Sequence, residues 1–165
     1  MLHLKRILLD TNIYGFLADS LDRNWLFMGV KSHKVTVCGS AIIRQELRNI
    51  PKKAALGNAN LRKLCLELYD ALVDEKRNYA VTELVKTICA GYGDNYRGTH
   101  LLSELEKDFL IIASASLHGI DIVVSNDEKT MTSPEAALAY RTVNRKFELR
   151  TPEFIRFEEL RQLFR

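Results

Sequence analysis

Four acidic residues stand where a chain of alternating strands and helices would place chemistry. Asp10 ends the apolar run Arg6-Ile7-Leu8-Leu9, and Asp127 follows Ile122-Val123-Val124-Ser125-Asn126. Ligands of open α/β sheets bind outside the carboxyl ends of the strands, so both acids fall at a binding rim. Glu46 lies in Arg44-Gln45-Glu46-Leu47-Arg48, a helical segment after a second apolar run. Asp108 precedes Phe109-Leu110-Ile111-Ile112 and the small residues Ala113-Ser114-Ala115-Ser116, which would let that helix approach a sheet closely. Thr11, Asn12, Ser125 and Asn126 flank the first and fourth acids as hydrogen-bonding groups able to orient them. If all four carboxylates converge, two charges ~4 Å apart repel by about 4 kcal/mol at an effective dielectric near 20. Either some protonate or a divalent cation neutralises the cluster. An all-oxygen donor set suits Mg²⁺ or Mn²⁺, and such ions promote in-line water attack on a phosphodiester.

The elements that must position these acids follow from local pattern. Residues 6–10 and 121–125 read as buried strands, being apolar without alternation. Residues 34–38 read as another strand, with Ser40 capping a helix over 41–49 that Pro51 stops. Leu61 to Val73 is an amphipathic helix with Leu61, Leu64, Cys65, Leu68 and Leu72 on one side. Residues 78–81 form a weaker strand candidate. A helix from Thr82 is expected to run to about Cys89, where Gly91, Gly93 and Gly98 break the pattern. A long helix runs from His100 to His118, closed by Gly119. Ser133-Pro134-Glu135 opens another. Residues 147–150 read as a last strand and Thr151-Pro152-Glu153 as the start of a terminal helix. The alternation implies an α/β fold with a parallel sheet, in a single domain over 1–165.

The 165 residues are 47% hydrophobic and 27% charged, which excludes a disordered or fibrous chain. No apolar run approaches the ~18 residues of a membrane span. The N-terminus lacks a secretory pattern, so a cytoplasmic location is expected. Cys38, Cys65 and Cys89 form no CxxC pair, against a zinc site or disulfide framework. His3, His33, His100 and His118 show no metal-ligand spacing. A net charge of +3 permits a nucleic-acid partner without requiring one. Tyr92, Tyr96, Arg97 and His100 have a composition that suits stacking on single-stranded RNA, or an ordinary surface loop. The basic residues from Arg141 to Arg165 read as a largely solvated face.

The segments Asp10-Thr11-Asn12-Ile13, Glu46-Leu47, Asp108 before Ile111-Ile112-Ala113-Ser114-Ala115, and Val124-Ser125-Asn126-Asp127 together resemble a PIN domain. The acids are 36, 62 and 19 residues apart, from 10 to 46, 46 to 108 and 108 to 127. The resemblance covers nearly the whole chain. It implies a three-layer α/β/α fold around about five parallel strands, and a metal-dependent endoribonuclease similar to VapC-type toxins. Asp10, Glu46, Asp108 and Asp127 would then be the catalytic, Mg²⁺- or Mn²⁺-binding quartet, with Thr11, Asn12, Ser125 and Asn126 in support. RNA as substrate, a homodimer and a cognate antitoxin are implied in the same way. Ser125 stands where the family commonly has Thr, and Thr130 where an aromatic often stands. Two other readings fit the acids: a non-catalytic PIN-like module binding RNA or protein, and a Mg²⁺-dependent receiver-like signalling domain. The receiver reading lacks the adjacent acid pair it needs after the first strand.

Overall fold

The computed structural model describes residues 4–21 and 23–164. Met1 to His3, Asp22 and Arg165 lie outside the described residues. In chain order the elements are β1 (Lys5–Leu9), α1 (Thr11–Asp19), α2 (Asn24–Lys31), β2 (Val35–Ser40) and α3 (Ala41–Arg48). The two-residue strands β3 (Ala55–Leu56) and β4 (Ala59–Asn60) follow, then α4 (Leu61–Leu72), β5 (Val73–Tyr79), α5 (Glu83–Asn95) and α6 (Leu102–Leu117). The chain closes with β6 (Ile122–Val124), α7 (Pro134–Lys146), β7 (Glu153–Ile155) and α8 (Phe157–Gln162).

Five strands form one parallel sheet in the order β5-β2-β1-β6-β7, flanked by helices. The fold is therefore the expected α/β class with five parallel strands. Ile7, Leu8 and Leu9 of β1 and Val123 and Val124 of β6 are fully buried, because central strands are covered on both faces. Each such side chain contributes ~1.5–3 kcal/mol relative to exposure. Counting only the strands of this sheet, the order is 3-2-1-4-5. A receiver-type sheet runs 2-1-3-4-5, so topology excludes the receiver-like reading. The order reverses between β1 and β6, and there the carboxyl ends of two neighbouring strands open a crevice. Among the described residues no helix is long and apolar enough to cross a membrane.

Three segments differ from the sequence expectation. The strand expected at residues 78–81 instead starts directly after α4 and occupies Val73–Tyr79. α5 does not stop near Cys89 but continues through Gly91 and Gly93 to Asn95. A side-chain carbon on Gly91 would stand 2.9 Å from Val143 Cγ1, so the glycine serves close approach of α5 and α7 rather than a helix end. The last strand is Glu153–Ile155, not residues 147–150. Phe147 and Glu148 instead form the turn that ends α7, with Glu148 at φ 55° and Leu149 N–H bonded to Asn144 O at 2.8 Å. Pro152, without an N–H, directly precedes this edge strand and does not open a helix. By contrast, Gly119 takes φ 64° after α6 as expected.

Candidate functional site

The carboxyl ends of β1 and β6 carry Asp10 and the segment Ser125–Asp127. The Asp10 N–H bonds to Val124 O at 2.9 Å, which fixes the end of β1 against β6. Asp10 also caps α1: its carboxylate accepts from Thr11 N–H at 2.7 Å. Its other oxygen accepts from the Ser125 hydroxyl at 2.8 Å. Ser125 Oγ in turn accepts from Asp127 N–H at 3.1 Å, so this buried serine orients both strand-end acids. Asp127 folds back on its own loop, its Oδ1 accepting from Lys129 and Thr130 N–H at 3.1 and 3.0 Å. That is the Asx-turn geometry open to a short carboxylate.

The other two acids arrive on helices. Ser40 ends β2 and caps α3 by accepting from Ile42 N–H at 3.2 Å, which starts the helix at the strand rim. Ile43 and Leu47, four residues apart on the buried side of α3, anchor it, and Glu46 between them accepts a hydrogen bond from the Thr11 hydroxyl. Asp108 sits in the second turn of α6. The small residues Ala113 to Ser116 are all buried, which lets this helix lie close in the core, as their sizes suggest. Asp108 Oδ2 lies 2.7 Å from Thr130 Oγ1, which also contacts Asp127 Oδ2.

Thr11, Ser125 and Thr130 therefore join the four acids into one hydrogen-bonded cluster from four separate parts of the chain. Thr130 was not singled out as a supporting residue by sequence. Its signal was there, in a hydroxyl three residues after Asp127 where the resembling family has an aromatic. Asn12 is exposed on the first turn of α1 and lies outside these bonds. Asn126 is exposed too, and its Oδ1 accepts from the N–H of Phe157, the first residue of α8, at 2.9 Å rather than orienting Asp127. Tyr92 is fully buried and Tyr96 nearly so, ringed by Phe109 and Tyr140, which removes them as an exposed stacking platform.

The electrostatics are those of uncompensated charge. None of the ion pairs found among the described residues involves any of the four acids. Asp10, 5% exposed, is pushed up to about 6, chiefly by burial, with Glu46 and Asp127 adding repulsion against the Ser125 and Thr11 bonds. Asp108 is pushed up to about 7, again chiefly by burial, against the Thr130 bond, with smaller repulsions from Asp10, Asp127 and Glu46 adding to the rise. Thr130 has one hydroxyl proton for two carboxyl neighbours. A proton retained by Asp108 satisfies the second contact, with Asp108 donating and Thr130 accepting.

As they stand, no three His, Cys, Asp or Glu side chains among the described residues are grouped to hold a metal ion. The donor set nevertheless fits a hard divalent cation: four carboxylates, no thiol or imidazole, and no competing ammonium or guanidinium. Such a cation would compete with the Thr11 and Thr130 hydroxyls for the oxygens they now engage.

No protein-family model matches the chain, and no curated protein is similar to it in sequence. Solved structures are similar in fold. VapBC2 from Rickettsia felis bound to a promoter DNA fragment is 16% identical, over 92% of this chain and 98% of that one, with a TM-score of 0.54. FitAB bound to the IR36 DNA fragment is 16% identical, over 91% and 94%, with a TM-score of 0.52. FitAcB from Neisseria gonorrhoeae is 22% identical, over 82% and 93%, with a TM-score of 0.52. The chain thus has a PIN-like fold.

Proposed function

We propose that this chain is a metal-dependent endoribonuclease that hydrolyses RNA phosphodiester bonds, with Asp10, Glu46, Asp108 and Asp127 holding Mg²⁺ or Mn²⁺. The observation that carries the proposal is the convergence of four acids, from β1, α3, α6 and the loop after β6, without a cationic side chain among them. Burying such a group costs stability, and a purely structural role would favour neutral or paired residues. When bound, the cation supplies the positive charge that an anionic phosphodiester needs in order to approach four carboxylates, and it polarises a water for attack. The chain's own residues prepare the site for this. Ser125 and Thr11 N–H fix the rotation of Asp10, and the Asx turn fixes Asp127. Thr11 holds Glu46 across α1, and Thr130 spans Asp108 and Asp127. Asp108, pushed up to about 7 without metal, would be held ionised as a ligand of such a cation.

The proposal extends to biology. The neighbours in fold are VapBC2, FitAB and FitAcB. We assign this chain the role of the toxin in a toxin–antitoxin pair, acting in the cytoplasm as a homodimer and silenced by a cognate antitoxin. The test is calorimetric titration of Mn²⁺ into wild type and Asp10→Asn, followed by incubation of each with labelled RNA. Binding and cleavage, both lost in the variant, support the enzyme. RNA binding without cleavage, equal in both proteins, would replace it with the non-catalytic module.

A further inference from the structure

Basic charge is not spread evenly along this chain. Between Arg44 and Lys63 six residues are basic and only Glu46 is acidic, which leaves 18 basic and 20 acidic residues elsewhere. The segment starts in α3, the helix that delivers Glu46, and runs through the β3–β4 hairpin into α4. Its loop is built rigidly. Asn60 Nδ2 donates to Lys52 O at 2.8 Å, and Asn60 Oδ1 caps α4 by accepting from Lys63 N–H at 2.9 Å. Ala54 N–H bonds Pro51 O and Leu61 N–H bonds Ala54 O, at 2.9 and 3.0 Å. The backbone at Lys52 is therefore held in place.

A groove of about 600 Å³ lies between this loop and α4, lined by Arg44, Lys52, Arg62 and Lys63 with Glu67 and Asp70. Both carboxylates are engaged: Asp70 in a two-point pair with Arg44, and Glu67 with Lys63 at 3.8 Å. Lys52 and Arg62 have no ion pair among the described residues, nor do Arg48 and Lys53 beside the groove. Arg48, Lys52 and Lys53 are exposed. Arg44 and Arg48, two residues either side of Glu46, point away from it around the helix. The basic surface thus lies across α3 from the acids, ~10 Å away.

An acid-lined site repels the polyanion it would cut, so attraction must come from flanking surface. We infer that the groove between the β3–β4 hairpin and α4 is a phosphate track for single-stranded RNA. Lys52 and Arg62 hold backbone phosphates inside the groove, and the exposed Arg48 and Lys53 widen the basic surface around it. The inference rests on the ribonuclease reading for its choice of RNA. A groove of this size admits one strand, and unpaired Lys and Arg recognise phosphate without reading bases.

The test is fluorescence anisotropy with a labelled single-stranded RNA of mixed sequence, in Mg²⁺, with Asp10→Asn as background so that the RNA stays intact. Lys52→Glu, Lys53→Glu and Arg62→Glu together should weaken binding about tenfold or more and reduce the slope of log K against log salt by about 2. A charge-matched control, Arg141→Glu, Arg145→Glu and Lys146→Glu, should change binding by less than about threefold. The corresponding Gln triple removes the positive charges without adding negative ones and provides the measurement if the Glu triple does not fold. Equal loss in both Glu triples, no loss in the hairpin triple, or no binding by the background protein overturns the track. Cleavage by otherwise wild-type protein in Mn²⁺ is scored separately. Track-dependent binding without cleavage sinks the nuclease reading alone. Cleavage with track-independent binding sinks the track alone.

Discussion

The same two central strands are finished in opposite ways at their two ends. Near their starts, Arg6 is fully employed. Its backbone N–H bonds Asp121 at 2.8 Å, and its guanidinium bonds the His118 carbonyl at 2.6 Å and the Tyr79 hydroxyl at 2.5 Å. Tyr79 stacks on His118 with ring centroids 3.7 Å apart, and Arg150 pairs with Asp121. Charge there meets opposite charge or a hydrogen-bond partner. Beyond the ends of the same strands, four carboxylates share three hydroxyls, and among the described residues no cationic side chain pairs with them. One end is arranged for stability and the other carries electrostatic cost. Carboxyl groups whose proton affinity is raised by burial and mutual repulsion mark a candidate functional site.

The largest effect expected from breaking this contrast is on activity. Asp10→Asn keeps one acceptor, which Thr11 N–H can use, turns the oxygen that faces Ser125 into an amide donor, and removes a charge. RNA cleavage in Mn²⁺ should fall by about two orders of magnitude or more, with the circular dichroism spectrum unchanged. The opposite result is expected at the other end. Arg6→Ala should lower unfolding free energy in urea by about 2–3 kcal/mol, because the His118 carbonyl and Tyr79 hydroxyl lose a charged donor. Cleavage below the unfolding transition should remain near wild type.

The third prediction concerns pH in the absence of metal. Asp10 and Asp108 bind protons more tightly folded, at about 6 and about 7, than at their ordinary value of 3.8. The folded state then holds more protons, so their contribution favours folding at low pH and is lost as pH rises from about 4 through 7. Asp10→Asn cannot lose a proton. Relative to wild type it should gain on the order of 2–3 kcal/mol of stability between pH 4 and pH 8 in EDTA. Denaturant midpoints measured at both pH values check this, and saturating Mn²⁺ should shrink the difference. The smallest effect is assigned to Thr130→Val. Asp127 keeps its backbone donors, and only the hydroxyl shared with Asp108 goes. A several-fold loss of cleavage is expected, measured as kcat and KM separately to distinguish positioning from RNA binding.

Much of the architecture was legible in the chain itself. Apolar runs without alternation marked β1 and β6, because a strand covered on both faces needs no polar side. Ser40 and Ser133 announced α3 and α7, since a capping hydroxyl acts within its own helical turn. The four acids were visible as types in contexts, each at a strand end or on a helix beside one. Local pattern failed where long-range contact decided. Gly91 looks like a helix breaker until α7 packs close enough to demand the missing side chain. Residues 147–150 look like a strand, yet the turn at Glu148 uses them up, and β7 forms from residues after Pro152.

What the sequence alone determined, then, is the α/β class, the parallel sheet and the set of acids, because these follow from periodicity, capping and residue chemistry. What only the tertiary structure decided is the company those acids keep. Ser125 meets Asp10 across 115 positions of sequence, and Thr130 meets Asp108 across 22. The strand order that opens a crevice between β1 and β6, the burial that pushes Asp10 and Asp108 up, and the removal of Tyr92 into the core have the same origin. Each depends on which distant segments pack together, and no local pattern encodes that.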